Sequence, residues 1–141
     1  MWLHESTLGG LNAMTSGNML GHLDIQIIEI GSDYLVARMP VDHRTIQPLG
    51  ILHGGASVAL AESMGSFASV LMIDDISRRM PVGVSINANH LNSVSEGFVY
   101  AKVSPIKIGR QIHIWNIEIT DDRKRKVCIS RLTVMIVDRR S

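Results

Sequence analysis

Hydrophobic and polar positions follow two different rhythms along this chain. Ile25-Gln26-Ile27-Ile28-Glu29-Ile30 is rich in β-branched residues and stops at Gly31-Ser32-Asp33, a turn signal. Beyond it Leu35, Ala37 and Met39 alternate with Tyr34, Val36 and Arg38 as far as Pro40, which predicts a hairpin. A polar loop from Val41 to Leu52, punctuated by Pro48 and Gly50, then leads into a different pattern. From Gly54 to Ile73 there is no proline and the only ionisable side chain is Glu62, so the stretch reads as one long apolar helix. After Pro81 the period returns to two, with Val82, Val84, Ile86 and Ala88 on one face and Gly83, Ser85, Asn87 and Asn89 on the other. Phe98 to Ser104, Gln111 to Thr120 and Val127 to Val137 repeat the alternation. They are separated by turns at Ser95-Glu96-Gly97, at Lys107 to Arg110, and at the charged Asp121 to Lys126, and the four C-terminal strands read as an antiparallel meander. Ahead of all this, Ser6 to Met14 carries Leu8, Leu11 and Met14 at helical spacing, weakened by Gly9 and Gly10, and predicts a short helix. Asn18 to Asp24 reads as connection.

The order is short helix, two strands, one long helix, four strands. Strands on both sides of a single apolar helix predict an α+β fold in which one antiparallel sheet wraps around a long central helix, with a short N-terminal helix in addition. A length of 141 residues, 45% of them hydrophobic, suffices for one sizeable core, so residues 1–141 are expected to form a single domain. The formal net charge of +1, with both signs interspersed, suggests neither nucleic acid nor an anionic membrane as a partner. A lone cysteine, Cys128, allows no internal disulfide, and Met1-Trp2-Leu3-His4-Glu5 lacks the features of a signal peptide, so the cytoplasm is the expected compartment. No apolar run reaches the roughly 20 residues of a membrane span.

Candidate chemistry begins with Glu62. A carboxylate in an otherwise apolar helix is costly to bury unless it is paired, hydrogen-bonded or protonated, and isolated carboxylates of this kind tend to mark functional sites. The alternative is a Glu that reaches solvent at the helix edge. Gly55, Ala59, Glu62 and Ser66 share one stripe of the helix, so Ser66 can serve the same ligand or water. At the helix entrance, Gly54 and Gly55 leave backbone N–H groups unshielded, a donor site for an anion or a developing oxyanion. Gln47 can add a side-chain amide, or be a solvated loop residue. His53, just before the glycines, is either part of this site or a capping residue. The seven residues from Gly55 to Glu62 correspond to about 10 Å of helical rise, too far for both to touch one carbonyl. Two copies packed with these helices antiparallel would bring the loop of one to Glu62 of the other, so a homodimer with shared active sites is expected.

The segment Gln47-Pro48-Leu49-Gly50-Ile51-Leu52-His53-Gly54-Gly55-Ala56-Ser57, with Leu60-Ala61-Glu62-Ser63 and Gly65-Ser66, resembles the signature of hot-dog-fold acyl-CoA thioesterases. Within them it is similar to the branch that includes the 1,4-dihydroxy-2-naphthoyl-CoA thioesterases of menaquinone synthesis and the proofreading thioesterases of enterobactin synthesis. The likeness extends to Leu11-Asn12-Ala13-Met14, Met39-Pro40-Val41-Asp42, Asn87-Ala88-Asn89-His90, Ile108-Gly109-Arg110 and Ser130-Arg131-Leu132-Thr133. The resemblance implies the hot-dog fold, dimers paired into a homotetramer, and an acyl-CoA substrate with no separate cofactor and no metal. Glu62 matches the catalytic carboxylate, as general base or as nucleophile. Gln47 and the Gly54 N–H match the groups that polarise the thioester carbonyl, and His53 and Ser66 match supporting residues. Gly55, Ser63 and His90 fall at substrate-binding positions, His90 near the acyl pocket. Lys107 and Arg110, flanking Gly109, are candidates for the nucleotide phosphates of coenzyme A, or are solvated turn cations. The sequence departs from the family at Asn92, where an arginine is common, and in a longer connection from Asp74 to Met80.

Several other readings compete. An acyl-carrier protein could replace coenzyme A as the carrier of the thioester. A hot-dog hydratase or dehydratase would need a His and an acid together on one catalytic loop, which is missing. A non-catalytic acyl-CoA sensor would normally carry an effector domain. Serine-hydrolase chemistry lacks its G-x-S-x-G motif, Ser57 lying in GASVA. The six His residues have no metal-binding spacing.

Overall fold

The computed structural model describes residues 1–140. Two short helices, α1 (Leu8–Ala13) and α2 (Met19–His22), precede the strands β1 (Gln26–Ile30) and β2 (Leu35–Pro40). The long helix α3 (Gly54–Val70) follows, and then β3 (Arg79–His90), β4 (Phe98–Ile108), β5 (Ile112–Asp121) and β6 (Lys126–Asp138). All six strands form one antiparallel sheet in the order β1-β2-β4-β5-β6-β3. Among the described residues no helix is long and apolar enough to cross a membrane.

The predicted alternation is what lets the sheet hold α3. In β5 every second residue is buried, and Trp115, Ile117 and Ile119 are fully shielded from solvent. Val99, Ala101 and Val103 of β4 and Leu132 and Val134 of β6 continue the same inner face. Leu60, Ala61, Met64 and Ala68 of α3 are fully buried as well. Gly65 lets the helix come close to the sheet, because a Cβ there would collide with the side chain of Leu132. Polar atoms in this core are satisfied by a small network. Trp115 Nε1 donates to Ser69 Oγ at 2.8 Å, and the same oxygen lies 2.9 Å from His113 Nδ1.

Three expectations need correction. Asn18 to Asp24 is not plain connection: Asn18 caps the single turn α2 by accepting from Leu20 N–H. The C-terminal strands are not a simple meander, because β3 skips β4 and pairs with β6 at the far edge of the sheet. Strand periodicity specifies which face is buried but not which neighbour pairs. Finally, the two faces of β3 do not divide as the alternation suggests. A bulge at Val84 shifts the register, so Gly83 pairs with buried Val134 while Val82 pairs with exposed Met135. Gly83 therefore faces α3, together with Ile86, Ala88 and His90, and Val82 and Val84 are turned out, 38% and 52% exposed.

His113 is 2% exposed. Burial holds its imidazole below the ordinary range, the Gly109 hydrogen bond opposes that shift, and the nearby Arg79 charge adds to it. A base whose folded pKa is depressed leaves stability intact above its unfolded value of about 6.5 and removes stability as pH falls below it, since only the unfolded chain takes up the proton. Chemical denaturation between pH 7.5 and 5.5 should show stability falling with pH, and His113→Gln should flatten that part of the curve.

Candidate active site

His53 occupies the N-cap of α3 and sets the geometry of the loop-to-helix junction. Its Nδ1 accepts the Gly55 N–H at 2.7 Å, which leaves the proton of the neutral ring on Nε2, pointing away from the helix. Gly55 is needed for this fold-back, since a Cβ there would lie 2.9 Å from the His53 ring. The Ala56 N–H goes to the His53 carbonyl. Of the two glycine donors expected at the helix entrance, Gly55 is thus taken by the cap, and Gly54 keeps an N–H directed outward from the helix start.

The Gly54 backbone lies against the His90 ring at the end of β3, where a Cβ would come within 2.9 Å of His90 Nε2. Gln47 stands nearby in a tight turn closed by Gln47 N–H to Ile51 O and Gly50 N–H to Gln47 O. Its side-chain oxygen accepts the Leu49 N–H, so its NH2 group is the end free to donate. Gln47, Gly54, Ser57, His90 and Asn92 line one cavity of about 320 Å³. Ser57 was not singled out from the sequence. It sits one turn into α3 beneath Gly54, and helical spacing from the glycine is the signal that points to it. Asn92 donates to the Lys126 carbonyl at 2.7 Å and ties the end of β3 to the start of β6.

Glu62 lies elsewhere. It is exposed in the single chain rather than buried, takes part in none of the ion pairs among the described residues, and its carboxylate stands above Gly83, 3.5 Å from where a Cβ would be. With Ser63 and Ser66 it lines a second cavity of about 380 Å³, whose other walls are mostly apolar: Met14, Met19, Leu20, Phe67 and Val70. Ser63 donates its hydroxyl to the Ala59 carbonyl at 2.6 Å, which orients its lone pairs outward. The two cavities share no lining residue. The separation expected from helical rise is therefore present, with the donors at one end of β3 and the carboxylate over the other half of the same strand. Gly83 escaped the sequence reading because the bulge reverses its face, though a glycine inside a strand is itself a sign of close approach.

Lys107, Gly109 and Arg110 line a third, open cleft of about 1040 Å³ with Asp74, Arg79 and Asp138. The turn is held by Gly109 N–H to Ile112 O at 2.8 Å and by Arg79 donating to the Arg110 carbonyl at 3.0 Å. Neither Glu62 nor Gln47 borders it. Among the described residues no three His, Cys, Asp or Glu side chains converge as metal ligands would.

The family described as "Thioesterase superfamily" matches residues 49–128. The 1,4-dihydroxy-2-naphthoyl-CoA hydrolase of Escherichia coli is 50% identical over 137 residues, which is 97% of this chain and 99% of that protein. The proofreading thioesterase EntH of Cronobacter sakazakii is 45% identical over 137 residues, 97% of this chain and 98% of that one. The crystal structure of a thioesterase from Haemophilus influenzae superposes with a TM-score of 0.93 at 45% identity, covering 97% of this chain and 94% of that chain.

The cap makes a test that separates stability from chemistry. His53→Ala should lower stability by about 1 kcal/mol in urea denaturation, while His53→Asp, which keeps an acceptor for the Gly55 N–H, should restore most of it. Equal losses in both variants would show that His53 does not act as a cap.

Proposed function

The chain belongs to the thioesterase superfamily and is a thioester hydrolase of the hot-dog fold, and from that premise we propose that it hydrolyses aryl acyl-CoA thioesters at a site completed by a second copy of itself. The aryl preference rests on the likeness to the E. coli 1,4-dihydroxy-2-naphthoyl-CoA hydrolase. The likeness to the proofreading thioesterase EntH supports a second reading, a proofreading role, for which a protein in place of coenzyme A is the alternative carrier of the thioester.

The observation that carries the shared site is the arrangement along β3. Among the described residues this strand pairs only with β6, so its other edge is free, and Val82 and Val84 on its outer side are exposed. Long apolar edges are a liability that pairing removes. Gly54 lies against His90 at one end of the strand and Glu62 above Gly83 seven residues earlier. Gly83 pairs with Val134 and His90 with Cys128, and Asn87, opposite Arg131, lies midway between them. A twofold axis through Asn87 sets Gly83 of one protomer across from His90 of the partner subunit. Glu62 of one copy then meets the Gly54 N–H, the Gln47 amide and the His53 Nε2–H of the other.

In this site the Gly54 N–H and the Gln47 NH2 group polarise the thioester carbonyl and hold the oxyanion as it forms. Glu62 takes a proton from water, whose oxygen adds to the carbonyl carbon. The C–S bond breaks, and the thiolate leaves and is protonated. In the alternative route a Glu62 oxygen attacks first, forming an anhydride that water then cleaves. Ser63 and Ser66 sit beside the carboxylate to hold the water. The open cleft around Lys107 and Arg110 is the surface available to the nucleotide phosphates.

Two measurements test this. Glu62→Gln should fold normally yet release thiol from benzoyl-CoA at least about 100-fold more slowly; a loss of tenfold or less would remove Glu62 from the chemistry. Asn87→Cys should form a disulfide-linked dimer under mild oxidation, since residues paired on antiparallel strands are within reach of such a bond and Cys128 is fully buried. A variant that stays unlinked would reject this register.

A further inference from the structure

Met14 and Met19 are among the most exposed large hydrophobic residues, 49% and 58%. Their exposure does not come from a loosely held segment. Asn12, on α1, both donates to the Ile27 carbonyl and accepts the Ile27 N–H, each at 2.8 Å, so the short helix is fastened to β1 like an added strand residue. Asn18 donates to the Met14 carbonyl at 2.8 Å and accepts from Leu20 N–H, fixing the turn between the two methionines. Gly17 gives that turn its left-handed residue, with φ of 77°. Both methionines are thus held over the cavity whose opposite wall carries Glu62.

Resting on the assignment of Glu62 above, we infer that α1 and α2 form the roof of the acyl-binding pocket, and that Met14 and Met19 set the length and shape of acyl group it admits. The carboxylate fixes where the reacting carbonyl lies. The rest of the same cavity, about 380 Å³, falls within the usual range for small-ligand sites, about 300–1,000 Å³, and its apolar walls fit a hydrocarbon or aryl group. Methionine is unbranched and adaptable. A roof of two such side chains closes on a flat ring and yields to a longer chain, so aryl selectivity resides partly in these two residues.

The test uses the full-length protein and CoA thioesters of benzoate, hexanoate, octanoate and decanoate, with their non-cleavable thioether analogues for titration calorimetry. Met19→Ala and Met14→Ala, each removing three heavy atoms, should raise the kcat/KM for decanoyl-CoA relative to benzoyl-CoA by at least about tenfold, the low end of what one methylene is worth in an apolar pocket. Met19→Trp should move the ratio the other way, and the thioether affinities should follow the same order. Met19→Gln, close in size but polar, controls for volume and should weaken all apolar ligands together. Chain-length ratios unchanged within twofold, in both turnover and binding, would overturn the inference. Absence of thiol release from every thioester by the unmodified protein would instead overturn the catalytic reading, and the binding series would still decide the role of the methionines.

Discussion

One helix carries both the donor that can polarise a carbonyl and the carboxylate that can act on it, and the rise of the helix keeps them apart. From Gly54 to Glu62 is eight residues, about 12 Å along the axis. No rotamer of a glutamate closes that distance within one chain. The rest of the molecule is consistent with this constraint: a sheet that grips α3 on its apolar face, an edge strand that runs antiparallel beside it, and two cavities that share no wall. A self-complementary pairing of two edges would convert the separation into proximity, because a twofold axis exchanges the two ends of the strand.

The His53 cap shows how stability and chemistry are divided at the helix entrance. A helix start offers several unpaired N–H groups, and all of them would be solvated or capped in an ordinary helix. Here an imidazole takes the Gly55 N–H and so presents its own Nε2–H in place of the donor it consumes. The Gly54 N–H stays outside the cap, beside the His90 ring and the free end of the Gln47 amide. The arrangement needs two glycines for two steric reasons, His53 folding back on one and His90 packing on the other.

Most of the fold was legible in the sequence because burial sets the period of each element. The long helix, the hairpin and the alternation of β4, β5 and β6 follow from residues whose side chains meet one core. Glu62 stood out for the same reason, as the only charge on an apolar helix. What could not be read was non-local. The partner of β3 is chosen by how the chain crosses the helix, and period-two alternation is equally compatible with β4 or β6 beside it. The exposure of Glu62 was also misjudged, because an apolar helix wrapped by a single sheet keeps one side uncovered in the isolated chain. The roof of the second cavity is built from α1 and α2, whose weak helical pattern gave no sign that they would stand over the carboxylate.

The bulge at Val84 links these points. With unbroken pairing Val84 would oppose Val134 and face α3 beneath Glu62, and its branched side chain would cover the carboxylate and strip it of water. The inserted residue turns Gly83 inward instead, where even a Cβ would sit in van der Waals contact with the Glu62 carboxyl carbon and oxygen, and sends Val82 and Val84 outward. A carboxylate that must take a proton from water, or attack a carbonyl, needs unobstructed oxygens. The same irregularity therefore leaves the Glu62 carboxylate open and places two apolar side chains beside the strand's other edge, where burial by a second copy would be favourable. Bulges near sites commonly re-aim side chains; here the one re-aimed inward is the glycine that has none.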